Sequence, residues 1–405
     1  MTAKIKQFFH TFHRELFLFV LLFFTFLCTL PDKLHGWNSG WYAMDYSLGF
    51  DSRLLIGSIL KLFYPAFLPA EAVYNFVILS ILVLLALLAY LLGYALRQNE
   101  QSTARTGLLV LIAFYLLCPG SPVYLWSSEN MGRFDLYLLL FTLLAAVACC
   151  KIASIPLRLI LFTVCGLAAL CTHQVFIFIF FPLLFTMYLI TITEKKAKKS
   201  HVILAFGGMG ILAVCFLYFQ FFSHISPASC EELMSLLSAR TDLELNEVAL
   251  RYEYFTGFAQ STQDLMLNEL GERIRYGIVT LLLLSPLALI YGWFWLQILK
   301  TAKRYLPILL SQLSFVPAFL LTIDWGRWFG AFLTVQVLQI VILAAKKDAV
   351  VLTALTRLNT LIHKHPIFFL CTGIWLGSLQ KFEATLLPDA PVFFASLYQL
   401  YSMLF

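Results

Sequence analysis

Charge is what this sequence has least of. Only 12% of its 405 residues are Asp, Glu, Lys or Arg, while 61% are hydrophobic and 39 are phenylalanine. Soluble domains are about a quarter charged and about half apolar, so a water-soluble globule is excluded. The chain has no Gly-rich phosphate loop, no low-complexity tail and no internal repeat, which leaves no soluble nucleotide-handling domain and no solenoid. The opening "MTAKIKQFFHTFHRELFLFVLLFFTFLCTLP" lacks a small-x-small cleavage site. It therefore reads as an uncleaved first helix rather than a signal peptide, with residues 5–14 along the cytoplasmic interface. Nine cysteines make no CxxC pair and no metal-ligand spacing; all but Cys230 sit in apolar runs. They read as small packing residues, and no metal site is expected.

What fills the chain is apolar runs of membrane-crossing length, about 20 residues each. Spans are predicted near 15–31, 73–96, 107–126, 134–150, 157–172, 174–193, 202–222, 277–299, 306–322, 329–345 and 366–380. The expected fold is all-α: one integral membrane domain, 1–405, built as a polytopic helical bundle of about eleven spans. The closing "PVFFASLYQLYSMLF" is either a twelfth span or a re-entrant helix. The stretch around "CTHQVF" is too long for one helix and has basic flanks at both ends, so a tight hairpin is predicted at Thr172–Gln174.

Alternate loops carry very different charge. One set, from Lys4 to Lys364, holds 18 of the 28 basic residues and only four of the 22 acids, Glu15, Glu100, Glu194 and Asp348. The positive-inside rule makes that set cytoplasmic. The location that follows is a plasma (inner) membrane with the N-terminus in the cytoplasm. Topology thus accounts for the excess of basic residues, and no nucleic-acid partner is expected.

The unusual polar clusters all fall on the opposite, extracytoplasmic side. They are "MDYSLGFDSR" (Asp45, Asp51, Arg53), "SSENMGRFD" (Glu129, Arg133, Asp135), "THQ" (His173, Gln174) and "IDWGRWF" (Asp324, Arg327). Two outer connections are long. The first, 31–72, begins with aromatics and glycines and continues into an apolar helix from Ser52, too short to span and suited to the interface. The second, 223–277, is acidic and amphipathic, predicted as two or three short helices, and a loop of that length is commonly a lid or binding element.

Each candidate has an ordinary alternative. Asp51 stands where an Asp caps the interfacial helix, or pairs with Arg53, or does chemistry. Asp45 has no capping position in the sequence and stands among Trp41, Tyr42 and Tyr46, rings suited to sugar stacking or to interface anchoring. Arg133 and Arg327 lie beside acids, so local ion pairing competes with recognition of phosphate, which the planar guanidinium suits. His173 is a hydrogen-bonded structural residue, a general base or a headgroup ligand.

The layout resembles the GT-C superfamily of membrane glycosyltransferases. The resemblance rests on the Asp-bearing first loop "MDYSLGFDSR" after helix one, its interfacial helix, and a second long loop after the seventh span. The Asp-Glu pair common in that loop is absent: Tyr46 follows Asp45 and Ser52 follows Asp51. The resemblance implies a polyprenyl-phosphate-linked sugar donor and an acceptor glycan or lipid, in contact with membrane lipids. Of the two catalytic candidates, Asp45 is the expected base and Asp51 mainly the cap of the interfacial helix, with His173 beside the reaction. Arg53, Glu129, Arg133, Asp135, Gln174, Asp324 and Arg327 would bind substrate. No cofactor is expected, and a divalent cation is left open. The alternatives are a surface-polysaccharide polymerase, an acyltransferase, and a transporter or flippase of lipid-linked sugars.

The topology is testable directly. In a chain whose only cysteine is residue 230, an impermeant thiol reagent is expected to label intact cells; protection until the membrane is opened would reverse the orientation.

Overall fold

The structure, a computed structural model, describes residues 2–256, 270–322, 324–379 and 381–382. The closing "PVFFASLYQLYSMLF" and residues 257–269 of the second loop lie outside them. Among the described residues the chain is almost wholly helical, the one strand pairing being Gly49–Phe50 with His224–Ile225. Among the described residues seven helices are long and apolar enough to cross a bilayer: Phe9–Thr29, Ala70–Gln98, Ala104–Trp126, Ile155–Thr172, Lys199–Phe221, Lys303–Leu321 and Trp325–Ala345. A helix satisfies its own backbone, which is why apolar segments of this kind can enter lipid at all. The chain is a helical membrane protein. Large exposed side chains such as Phe17, Phe24, Ile203, Phe206 and Val214 fit lipid, not water.

The chain divides into two compact units: Met1–Cys28 with Leu88–Ser127 and Glu269–Phe405, and Thr29–Leu87 with Ser128–Asn268. In the first, Trp325–Ala345 is the central helix, 89% buried over its most apolar stretch. Its polar side chains are matched by neighbours: Tyr115 with Thr334, Trp295 with Gln336 and Gln312 with Gln339. The predicted span 277–299 is two helices, Leu270–Leu283 and Ser285–Thr301, bent by 71°. Pro286, in the first turn of the second piece, lacks the N–H that would continue the ladder. The segment 346–365, expected as a basic loop, is instead mostly the helix Ala349–Lys364. Asp348 caps it at Val350 and Val351, and it packs along Ala104–Leu117 so closely that a Cβ on Gly107 would meet Leu355 O at 2.4 Å.

In the second unit the predicted hairpin is present. The helix Ile155–Thr172 ends where His173 turns extended (φ −166°, ψ 124°), and the chain returns through the short turn Phe176–Ile179 and the helix Phe181–Ile192. Arg158, near the start of one arm, grips Glu194, just past the end of the other, through two bonds of 2.6 Å. That closes the hairpin opposite its His173 tip. The helix Lys199–Phe221 runs parallel to Ile155–Thr172, with Gly208 against Thr163 and Gly166 against Leu212. The same register brings Cys171 and Cys215 into contact, with the Tyr46 hydroxyl beside them.

The two long loops of this unit are sewn together. Gly49 pairs with Ile225, and Phe50 with His224. Gly49 has φ +140°, and a Cβ there would strike His224 O at 2.5 Å, so only glycine serves. Further along, Leu68 N bonds Arg240 O, Thr241 Oγ1 bonds Leu68 O, and Ala70 N bonds Asp242. Two helices form in the described part of the second loop, Cys230–Ser238 and Glu247–Tyr254, capped by Ser229 and Asn246. Cys230 is packed beneath them at 1% exposure. It is therefore a poor labelling site, and its exposed neighbour Glu231 is the position at which to place the reporter cysteine.

The parallel register can be checked by chemistry. In a chain retaining only Cys171 and Cys215, mild oxidation should close an intramolecular disulfide, since the bond forms only between closely placed residues. The readout is loss of the mass shift with a polyethylene-glycol maleimide. Persistence of both free thiols would show the register to be wrong.

Candidate functional site

The polar residues of the second unit gather where the first loop, the hairpin tip and the second loop meet. The helix expected from Ser52 begins later, at Leu55, and runs to Phe63. Its N-cap residue is Leu54, which offers no side-chain oxygen, so Asp51 is not its cap. The helix packs on the loop before it: a Cβ at Gly57 would fall 1.8 Å from Met44 O. The intervening turn is tight enough to put Arg53 at φ +71°, a left-handed conformation uncommon for a side chain of this size.

Capping belongs instead to Asp45, whose Oδ1 accepts from Ser47 N at 2.7 Å at the start of the 3-10 turn Tyr46–Leu48. Asp45 is only 2% exposed and is held by two cations. Lys61, from the helix Leu55–Phe63, reaches Oδ1 at 3.0 Å, and Arg240, from the second loop, bonds Oδ2. All of its charge is answered, so Asp45 is an anchor. Neither cation is singled out by the sequence.

Asp51 lies in a different environment. It is half-buried, and its Oδ1 accepts from Ser52 N at 2.5 Å and from Ser223 Oγ at 2.9 Å. Burial raises its carboxyl pKa from the ordinary aspartate value, with the Ser223 and Ser52 hydrogen bonds and the charge of Arg53 opposing the rise. Next to it, Ser52 donates through Oγ to Gln174 Oε1. Arg53 stacks on Trp41, its guanidinium carbon 4.7 Å from the ring centroid. Its Nη2 faces two partners, His173 Nε2 at 3.0 Å and Glu253 Oε2 at 3.0 Å. The guanidinium can only donate, so His173 Nε2 accepts from it, while Nδ1 lies 3.2 Å from Gln174 Oε1 and 3.3 Å from Val175 N. Tyr254 lies against the same Trp41, with ring centroids 5.9 Å apart.

Asp51, Arg53, His173 and Gln174 are therefore brought together. Glu129, Arg133 and Asp135 form a separate turn leading into the helix Asp135–Lys151, where Arg133 Nε bonds Glu129 O at 3.4 Å and Asp135 opens the helix. This turn is tied to the start of the first loop: Asn38 donates to Glu129 O and Met131 O, and Tyr42 to Gly132 O. Burial and the charge of Arg133 hold His35 below its ordinary pKa. Asp324 and Arg327 belong to the other unit and pair with each other, Arg327 lying over the Trp328 ring at 4.7 Å. Sequence reasoning missed Glu253, Tyr254 and Ser223. Their loop was expected to cover a site, but nothing in its acidic composition distinguishes one glutamate from another.

Beside this cluster runs an open, wholly apolar groove of about 580 Å³ along the helix Lys199–Phe221. Gly207, Gly210, Ile211, Val214, Cys215 and Tyr218 line it, and Phe50, the residue before Asp51, stands at its edge. Among the described residues no group of three or more His, Cys, Asp or Glu side chains is placed to hold a metal ion. No family model, curated protein or solved structure matches the chain.

The anchor role of Asp45 has a measurable consequence. Arg240→Ala leaves a buried carboxylate with one half-exposed cation, and breaking such a pair costs on the order of 3 kcal/mol. A clear drop in the melting temperature of the full chain in lipid is expected; an unchanged melt would mean that the two loops are held together by other contacts.

Proposed function

We propose that the chain is a membrane glycosyltransferase, moving a sugar from a polyprenyl-phosphate-linked donor to an acceptor glycan or lipid on the extracytoplasmic face. The observation that carries this reading is Asp51: a half-buried carboxyl with a raised pKa, one residue from an apolar groove and two from an arginine. A base that must work on a hydroxyl gains from a pKa raised toward the operating pH, and general-base catalysis of this kind contributes about 10²–10⁴-fold. Asp51 takes the acceptor proton. Arg53 faces the phosphate and stabilises the charge on the departing polyprenyl phosphate. Gln174 and His173 hold the hairpin tip against this loop, and the groove along Lys199–Phe221 gives the isoprenoid tail an apolar bed. Glu129, Arg133 and Asp135 border the first loop on the acceptor side.

On this reading we count eleven crossings: the seven long helices, the bent pair taken as one, and the shorter helices Asp135–Lys151, Phe181–Ile192 and Pro366–Ser378. With the N-terminus in the cytoplasm, both long loops then lie outside. A second reading, a transporter of lipid-linked sugars, is favoured by one observation: the 71° break at Pro286 in the unit that also buries the Gln312–Gln339 and Trp295–Gln336 pairs. Broken helices with polar groups at membrane depth are what transporters use.

The two carboxylates separate the alternatives. Asp51→Asn keeps shape and hydrogen bonding but removes the base, so sugar transfer by the purified protein in lipid should collapse while donor binding and melting hold. Asp45→Asn should act mainly on stability, because it uncouples Lys61 and Arg240. The pH profile carries the sign. With its pKa raised, Asp51 is protonated below that value, so transfer should fall as pH drops through it, and this acid limb should lie above that of an unperturbed aspartate. Its folded pKa being raised, Asp51 favours folding most below its unfolded pKa, and that contribution fades as pH rises through the folded value. Normal transfer by both Asn variants would remove this mechanism and put the transporter reading first.

A further inference from the structure

Arg53 is only partly used. A guanidinium offers five N–H donors, yet its polar contacts, to His173 and Glu253, both run through Nη2. Nε is buried with no hydrogen-bond partner, and so is the hydroxyl of Tyr254, whose ring also lies against Trp41 and within the field of the Arg53 charge. Burying a donor unpaired costs about 1–3 kcal/mol. The turn also holds Arg53 in the left-handed region, a conformation that persists only where the surroundings impose it. Two orphaned polar atoms and a strained arginine on one aromatic platform describe a seat for an oxygen-rich anion.

Glu253 sits at that seat. Its carboxylate reaches Nη2 at 3.0 Å, and its side chain is 25% exposed, against 2% for the anchored Asp45. Glu253 thus has water to move into, and Asp45 does not. A carboxylate on a guanidinium is chemically close to a phosphate oxygen on a guanidinium. Both cannot occupy the same arginine next to Asp51 without placing several anions around one cation.

We propose that Glu253 is a built-in placeholder: it occupies Arg53 in the empty protein, and an incoming phosphate displaces it, engaging Nε and the Tyr254 hydroxyl while the Glu253 side chain swings into solvent. This rests on the reading of Arg53 as the phosphate-binding residue. It adds that binding is a competition between two anions, one belonging to the second loop. The apparent affinity is then the intrinsic one reduced by the fraction of protein in which Glu253 has left.

The test uses the full chain in lipid nanodiscs, titrated calorimetrically with farnesyl phosphate and, separately, with inorganic phosphate. Glu253→Gln keeps the size of the side chain and removes its charge, so it should bind about tenfold tighter than wild type if Glu253 fills the seat nine-tenths of the time. Arg53→Gln carries the same backbone strain as arginine and should lose binding in both backgrounds; melting curves identify any variant that fails to fold. Tightening with farnesyl phosphate alone assigns the seat to a lipid phosphate, and tightening with both ligands assigns it to phosphate as such. If wild type binds through Arg53 and Glu253→Gln binds no better, the placeholder is refuted and the phosphate reading stands. If neither ligand binds any folded form, the phosphate reading itself falls, and the placeholder with it.

Discussion

A carboxylate removed from water must be given its counter-charges by the protein, and Asp45 receives two from different parts of the chain. Lys61 comes from the helix that follows the first loop; Arg240 comes from the second loop, 195 residues away in sequence. Burial alone would be costly, and the pair of cations makes it tolerable only while both loops hold their positions. The strand pairing at Gly49 and Phe50, the Leu68–Thr241 bridge and the turn that strains Arg53 all lie within reach of this junction. The arrangement of Asp51, Arg53 and Glu253 therefore depends on a group that takes no part in the chemistry proposed for them.

How much of this was legible in the sequence differs by kind of residue. Apolar runs announce membrane helices because lipid imposes one demand along the whole segment, and the hairpin at Thr172–Gln174 followed from length and flanking charge. The helix Ala349–Lys364 was hidden by its composition: Arg357 and Lys364 read as loop charge, although its apolar residues keep a helical period against Ala104–Leu117. The Pro286 break was visible as a proline and silent about the angle.

The first-loop carboxylates were seen, but their environments were exchanged. Asp51 had the spelling of a cap, directly before an apolar helix, yet the positive φ of Arg53 delays that helix to Leu55 and leaves Asp51 off its axis. Asp45 seemed to have no structural task because its task is set by residues 16 and 195 positions away. Local sequence can suggest a cap; it cannot supply a partner from a distant loop. Glu253 and Tyr254 were illegible for the same reason.

The hairpin closed by Arg158 and Glu194 is a measuring device. Its two feet are fixed by a bidentate ion pair, so the height of its tip is set by the number of residues in each arm. One inserted residue would lift the tip by about 1.5 Å and swing it by about 100°. His173 and Gln174 would then leave Arg53 and Ser52 while the feet stayed pinned. Arm length is a specification here, and relatives of this chain should vary the composition of those helices far more freely than their residue count.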